Sequence, residues 1–321
     1  MQAIPQKPRF GDQVPPAIFP PLLGLMGLAL ALSRGVPVFG IPRPIVDLIT
    51  GAVTLLLLFA IFAYSLKLIR RFGTLAEDIR TLPGRAGTAA MVVSIYCLAA
   101  ALLPFSTSVA QVVLFAGLAW HVVLVLFKTR YLLSLPSEQR QITPVWHLSY
   151  VGFIVAILAA QPLGYSQLSV VIFCVTVPVA MTIWGLSLRD ILTNETPPPL
   201  RPTLAIHLAP ASLFTVTAGL LGWTLLSFAF GIVAIAIFGT LLVKTRWLTV
   251  AGFSPFWGAF TFPLAAFSSA MMSLASLSPV FGILGALSLA GALGVNPLIA
   301  TRVLKLWASN QLALKTNAAR V

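Results

Sequence analysis

Long apolar runs constrain this chain more than any other feature of its sequence. They follow one another almost from end to end, separated by short stretches of proline, glycine and charged residues. A helix needs about 20 mostly apolar residues to cross the hydrocarbon of a bilayer. Only 8% of the residues are charged and 59% are hydrophobic, whereas a soluble domain carries roughly 25% charged residues. The pattern therefore predicts an all-α integral membrane protein.

We divide the apolar runs into ten predicted transmembrane helices, of which the third, fifth and seventh are the shortest. Each is long enough to cross about 30 Å of hydrocarbon at about 1.5 Å per residue. Their predicted bounds are 17–36, 44–68, 86–104, 107–128, 144–162, 165–188, 203–221, 222–244, 252–276 and 279–305. The transmembrane domain is accordingly predicted over residues 17–305, between an N-terminal tail of residues 1–16 and a C-terminal tail of residues 306–321.

The distribution of lysine and arginine predicts how the helices are oriented. Of the twenty Lys and Arg residues, only Arg34 and Arg43 lie on one side, and the other eighteen lie on the opposite side. Short basic loops stay in the cytoplasm. We therefore expect five helical hairpins in a bacterial-type inner membrane, with both termini cytoplasmic. Topology and contact with lipid headgroups then explain the net charge of +13, and nucleic-acid binding is not expected.

Ionisable groups are scarce at the predicted membrane depth. None of the seven Asp and Glu residues falls at the middle of a predicted helix, although proton-coupled carriers usually keep such groups there. His121 lies within the fourth predicted helix, and His147 and His207 lie near the starts of the fifth and seventh. We interpret these histidines as packing or interfacial residues, with metal binding or pH sensing as the alternative. No metal-binding spacing, nucleophile constellation or phosphate-binding loop is found, so we expect no enzymatic activity, no cofactor and no metal.

The ninth predicted helix carries the most specific pattern. At 100° per residue, one face is small or weakly polar apart from the ring of Phe262. Its members are Ala251, Pro255, Gly258, Phe262, Ala266, Ser269 and Ser273. Small faces in membrane helices usually pack closely against other helices. Such a face also suits the wall of a water-filled path, in which Phe262 is the bulky group, and hydrophobic constrictions gate pores by dewetting.

Proline is frequent in the odd-numbered predicted helices, at Pro20, Pro21, Pro210 and Pro263. Proline removes a backbone donor and kinks a helix, which is tolerated where a cavity satisfies the freed backbone groups. These helices run outward, so their positive dipole ends lie on the cytoplasmic side. If they line a common path, its cytoplasmic mouth favours anions.

Three segments resemble one known family. The ninth helix contains FWGAFTFPL at residues 256–264, the first contains FPPLLGLMGLA at residues 19–29, and the seventh contains LAPA at residues 208–211. These segments resemble the tellurite-resistance/dicarboxylate transporter family, which includes the plant slow anion channels. One departure is Pro20, where the family pattern has glycine, in the pore wall opposite Phe262.

The resemblance implies five helical hairpins in a quasi-fivefold ring, odd-numbered helices around a central pore, and a homotrimer. It also implies that Phe262 is the gate that occludes this pore. Family members pass chloride, nitrate or C4-dicarboxylates, and some are named for tellurite resistance. Together with the pattern of the ninth helix and the positions of the prolines, the resemblance selects nine further candidates for the pore wall or for helix kinks. They are Phe19, Pro20, Pro21, Pro210, Pro255, Gly258, Pro263, Ala266 and Ser269.

We therefore expect gated passage of small anions, with small anions, membrane lipid and further copies of this chain as partners. Two alternatives stay open. One is a proton-coupled C4-dicarboxylate or sulfite-type exporter, and the other is a membrane scaffold that transports nothing.

Overall fold

The computed structural model describes residues 9–136, 140 and 142–321. Lys7, one of the basic residues assigned to the cytoplasmic side, and half of the predicted N-terminal tail lie outside the described residues. The fold is helical, with 81% of the residues in helices, and the described part contains no strand. The all-α prediction is therefore confirmed.

Ten longer helical segments form the described part of the chain, and short helices lie between some of them. The segments are α1 Phe19–Phe39, α2 Arg43–Arg70, α3 Leu82–Leu102, α4 Thr107–Ser134, α5 His147–Ala160, α6 Ser166–Thr193, α7 Leu208–Leu220, α8 Thr224–Val243, α9 Gly258–Ser273 and α10 Pro279–Ala308. Short 3-10 helices precede α1, α7 and α9, at Pro16–Ile18, Pro198–His207 and Pro255–Trp257. The short helices are Gly73–Asp78, Thr245–Leu248 and Gln311–Lys315.

Eight helices in the described ranges are long and apolar enough to cross a membrane, with α1 and α7 taken together with the 3-10 helices before them, as Pro16–Phe39 and Pro198–Leu220. The two predicted spans that fall short are the fifth, 144–162, and the ninth, 252–276. Segment α5 joins a π turn, a 3-10 turn and one turn of α-helix. The α-helix of α9 has only 16 residues, about 24 Å at about 1.5 Å per residue. It starts late because Gly252 has a left-handed φ of 75° and Pro255 begins a 3-10 turn.

The prolines that the sequence selected occupy different positions in their helices. Pro20 and Pro21 lie in the first α-helical turn of α1, directly after the 3-10 turn Pro16–Ile18. They therefore lie where 3-10 backbone changes to α-helix. Pro210 likewise lies in the first turn of α7, whereas Pro263 lies inside α9.

The odd-numbered segments form the interior and the even-numbered segments cover it. In their most apolar stretches, 56% of the helix that contains α1 and 78% of those that contain α3 and α7 are buried, against 17–39% for the five even-numbered helices. α1 packs against α3 and α9, α5 packs against α3 and α7, and α7 packs against α9. Each even-numbered segment packs on the odd-numbered segment before it. The exposed side chains of the outer helices, such as Leu48, Leu225 and Val243, are apolar and suit contact with lipid.

Both described ends of the chain lie on one face of the bundle, which we call the tail face. The Val321 N–H donates a hydrogen bond to the Asp12 carbonyl at 3.1 Å, and the Arg70 guanidinium contacts both Asp12 and Phe10. The opposite face, here the far face, carries the short connections 40–42, 103–106, 161–165, 221–223 and 274–278. The odd-numbered segments all begin at the tail face.

A buried ion pair joins three parts of the chain at the tail face. Lys67 Nζ lies 2.8 Å from Asp78 Oδ2, and both side chains are fully buried. Asp78 also accepts hydrogen bonds from the Tyr64 hydroxyl at 3.0 Å and the Ala319 N–H at 2.8 Å, and Lys67 donates to the Val14 carbonyl at 3.1 Å. Lys67 lies at the end of the second predicted helix and Asp78 lies between the second and third, and the sequence does not predict their burial, which arises because both tails cover them.

We predict that Asp78→Asn destabilises the protein by about 3–5 kcal/mol, because removal of one partner leaves the other charge buried without compensation. Thermal unfolding of the purified protein in detergent measures the effect. The matched control is Glu77→Gln, since Glu77 pairs with Arg71 at 2.7 Å but its side chain is 41% exposed. A melting temperature that falls equally for both variants contradicts the prediction.

Candidate functional site

Two cavities lie among the odd-numbered segments, on opposite sides of Phe262. The tail-side cavity has a volume of about 40 Å³ and is bordered by the beginnings of all five odd-numbered segments or by the residues just before them. The far-side cavity has a volume of about 210 Å³ and is bordered by the later parts of the same five segments. Because a water molecule needs about 10–15 Å³ of such space, both cavities are large enough to hold water.

Phe262 borders both cavities, although its own side chain is only 5% exposed. It also borders a third, smaller cavity of about 20 Å³ between α3, α5 and α7. Its ring packs against Gly27 of α1, where an added Cβ would lie 2.7 Å from the ring carbon Cδ2. The ring therefore stands between the tail-side and far-side cavities, held by α1.

The contact between α1 and α9 fixes the position of this ring. A Cβ at Gly24 would overlap the side chain of Thr261, so only glycine fits there. From α10, the Asn296 amide donates hydrogen bonds to the Gly24 and Thr261 carbonyls, both at 3.0 Å. Close approach of backbones at small residues and interhelical hydrogen bonds are the main sources of helix association in a membrane.

Most of the residues that the sequence selected border a cavity. The tail-side cavity is bordered by Pro20, Pro255, Gly258, Phe262 and Pro263, the far-side cavity by Phe262, Ala266 and Ser269, and the third cavity by Pro210 and Phe262.

Phe19 and Pro21 border none of these three cavities. Phe19 is fully buried and packs edge-on against Tyr64 of α2, with 5.8 Å between ring centroids, and Pro21 packs against Gly258. Pro20 lies between them and faces the cavity, and adjacent residues on a helix point about 100° apart.

Arg34 and Ser33 also border the far-side cavity, but neither is among the site residues predicted from the sequence. Arg34 was used only to predict the orientation of the helices. The signal was present in the spacing, because Gly27, Leu30 and Arg34 follow at intervals of three and four residues and therefore share one face of α1. All three border the cavity.

The histidines are hydrogen-bonded in the interior. His121 lies between the Tyr96 hydroxyl and the Ser149 carbonyl, both at 2.9 Å, and stacks on Phe153 with 3.8 Å between ring centroids. His147 Nε2 lies 3.0 Å from His207 Nδ1 and joins α5 to the 3-10 helix before α7. His147 also borders the third cavity, next to Phe262.

Lys128 is a buried lysine near the tail-side cavity. It is the last residue of the fourth predicted helix, 107–128, but it lies inside the longer α4 and is 2% exposed. It donates to the Arg85 carbonyl at 2.8 Å and to the Ser149 hydroxyl at 3.1 Å. No carboxylate among the described residues pairs with it. Ala86, next to Arg85 in the chain, borders the tail-side cavity, so the Lys128 amine lies near this cavity without a paired acid.

Comparison with known proteins gives one match. Residues 13–304 match the family described as voltage-dependent anion channel. The match covers all ten segments except the last four residues of α10, and it confirms the resemblance identified in the first, seventh and ninth helices. No curated protein matches the chain.

We predict that Gly24→Ala destabilises the protein by about 1–3 kcal/mol, because the added methyl group forces α1 away from α9. The control is Gly51→Ala in α2, where an added Cβ meets no atom within 4 Å. The control should be neutral or slightly stabilising, since alanine favours a helix over glycine by about 1 kcal/mol. Thermal unfolding in detergent compares the two, and equal melting temperatures contradict the prediction.

Proposed function

This chain belongs to the voltage-dependent anion channel family, whose members are anion channels and transporters, and on that premise we propose that it passes small anions across a membrane through the centre of its odd-numbered segments. The observation that carries the proposal is that Phe262 borders two cavities, one lying toward the tail face and the other toward the far face. In this proposal the ring is the gate, and its displacement joins the cavities into one passage. An apolar ring is a suitable gate because a narrow hydrophobic constriction excludes water and ions.

The proposed architecture is a quasi-fivefold ring of five hairpins in which all ten segments span the bilayer. The contacts of α1 with α3 and α9, of α5 with α3 and α7, and of α7 with α9 support a closed order of the five inner segments. Segments α5 and α9 are short for this role, but irregular backbone is tolerated in a membrane where protein buries it or where it lines a cavity. Both border the cavities described above.

Electrostatics favour anions over cations in such a passage. The odd-numbered segments begin at the tail face, so their positive dipole ends point toward the tail-side cavity. Lys128 places an amine in the same region, which attracts an anion when it is protonated. The excess of lysine and arginine in the tail-face connections supports an orientation with that face in the cytoplasm. Weak, distributed attraction of this kind lets an ion enter and also leave.

The small tail-side cavity favours a chloride- or nitrate-sized anion over a C4-dicarboxylate. Its volume of about 40 Å³ is only a few times the space of about 10–15 Å³ that one water molecule needs on the same measure. A C4-dicarboxylate fits only if the cavity widens when the gate opens. Assembly as a homotrimer, placement in a bacterial inner membrane and a link to tellurite resistance rest on the family resemblance alone.

One observation favours the alternative of a proton-coupled carrier for C4-dicarboxylates or sulfite. His147 borders the third cavity together with Phe262 and is hydrogen-bonded to His207, and histidine is a common proton carrier. His147 Nδ1 and His207 Nε2 are buried and have no hydrogen-bond partner in the described part of the chain. A carrier requires that these groups exchange protons as the anion moves.

We predict that Phe262→Ala raises chloride conductance about tenfold or more, because removal of the ring lowers the barrier by at least the ~1.4 kcal/mol that a factor of ten represents. Purified protein in planar bilayers measures this, with the reversal potential in a chloride gradient as the test of anion selectivity. The control is Phe260→Ala, whose ring packs on Trp257 with 5.9 Å between centroids and does not border the cavities described above. Unchanged current in Phe262→Ala, or a reversal potential that follows the cation, contradicts the gate.

We further predict that malate or chloride entry into proteoliposomes is not accompanied by proton flux, since the proposed passage needs no coupling group. A pH-sensitive dye trapped inside the vesicles reports the flux. The variant His147→Gln should leave anion entry unchanged in a channel. Proton movement in step with malate, abolished by His147→Gln, decides for the carrier.

A further inference from the structure

The far-side cavity differs chemically from the tail-side cavity. The tail-side cavity is bordered almost entirely by apolar residues, with Thr203 as the polar exception, and the Thr203 hydroxyl already donates to the Leu200 carbonyl at 2.6 Å. The far-side cavity is bordered by three polar residues, Arg34, Ser33 and Ser269. Polar side chains are therefore concentrated on the far side of the Phe262 ring and are nearly absent on its tail side.

Arg34 has no protein partner in the part of the chain that the structure describes. Its guanidinium makes no hydrogen bond there and has no carboxylate within 4.0 Å. Arg43, the other basic residue near the far face, pairs with Asp47 at 2.9 Å. Arg34 is half-buried at the wall of a cavity. An arginine at membrane depth without a protein partner is costly, and such residues usually face a water-filled cavity and mark an ion pathway.

Ser269 provides a second unused donor on the same cavity. Neighbouring hydroxyls are occupied by backbone carbonyls: Ser33 donates to Ala29 at 3.0 Å and Ser268 donates to Gly285 at 3.1 Å. The Ser269 hydroxyl makes no such bond to any described residue, although the side chain is only 7% exposed. It lies on the cavity-facing side of α9, two turns after Phe262.

We propose that Arg34 and Ser269 form an anion-binding site in the far-side cavity, selective for a small planar oxyanion of the nitrate type over chloride. This site rests on the proposed function and adds a loading position on the far side of the Phe262 ring. The guanidinium presents a planar fork of donors that matches two oxygens of a planar oxyanion, whereas a spherical halide uses the charge alone. The volume of about 210 Å³ leaves room for the ion together with part of its water.

The test uses the full-length protein in planar bilayers, with Phe262→Ala as the background so that the gate does not limit the current. Arg34→Gln should lower anion conductance from the far face about fivefold at low salt, since one unit charge at about 4 Å contributes ~1 kcal/mol even in water. The loss should shrink at high salt because of screening. Arg34→Gln should also remove the preference for nitrate, measured as the reversal potential between nitrate and chloride.

Two matched variants separate charge from geometry. Arg43→Gln removes a basic residue near the same face that does not border the cavity, and it should keep both conductance and nitrate preference. Arg34→Lys keeps the charge but loses the fork, so it should keep most of the conductance and lose the nitrate preference. Equal effects of Arg34→Gln and Arg43→Gln, or a nitrate preference that persists in Arg34→Gln, overturn the site.

A binding measurement keeps the site testable when no current is found. Nitrate should raise the melting temperature of the wild-type protein in detergent more than chloride does, because a ligand that binds only the folded state stabilises it. The difference should disappear in Arg34→Gln and persist in Arg43→Gln. If Phe262→Ala carries no anion current but this nitrate effect is present, the proposed passage fails and the site stands. If the current is present and the nitrate effect is absent, the site fails and the passage stands.

Discussion

The close approach of α1 to α9 is the contact on which the interior of this protein depends. In a bilayer, lipid tails solvate apolar side chains as well as other helices do, so helices associate through van der Waals packing and hydrogen bonds. Gly24 leaves room for Thr261, Gly27 leaves room for the Phe262 ring, and Asn296 bonds to carbonyls of both helices. With larger residues at these glycines, α9 would move outward and Phe262 would no longer stand between the two cavities.

The buried acidic and basic side chains discussed here lie near the two ends of the central region. At the tail face, Lys67 and Asp78 neutralise each other in full burial and fix both tails, so they contribute to the structure and not to the passage. Lys128 and Arg34 are different, because no described acid pairs with either. One lies near the tail-side cavity and the other borders the far-side cavity. A proposed anion path therefore has a basic side chain near each end and an apolar ring between them.

The irregular segment α5 shows how such a fold satisfies its backbone away from water. A π turn at His147–Val151 shifts the helical hydrogen bonds, and the Ser149 carbonyl lies 2.9 Å from His121 Nε2 of α4. The Ser149 hydroxyl accepts from Lys128. π turns occur frequently at functional sites, and this one lies beside the third cavity. His121 thus provides a hydrogen-bond partner for a backbone carbonyl in the irregular part of α5.

The sequence by itself determined that lipid surrounds the protein, that the fold is helical and where most of the helical segments lie. Apolar runs and the scarcity of charged residues are properties of the local sequence, so they do not depend on which helices pack together. It also identified the family and the face of α9 that carries Phe262, since 3.6-residue periodicity orders side chains within one helix. Only the tertiary structure decided which residues of other helices each helix face contacts. It buried the charged residues Lys67, Asp78 and Lys128, and it turned Phe19 toward Tyr64. It also placed Arg34 and Ser269 on one cavity. These outcomes depend on how separate helices pack, and periodicity within a single helix carries no information about its partners.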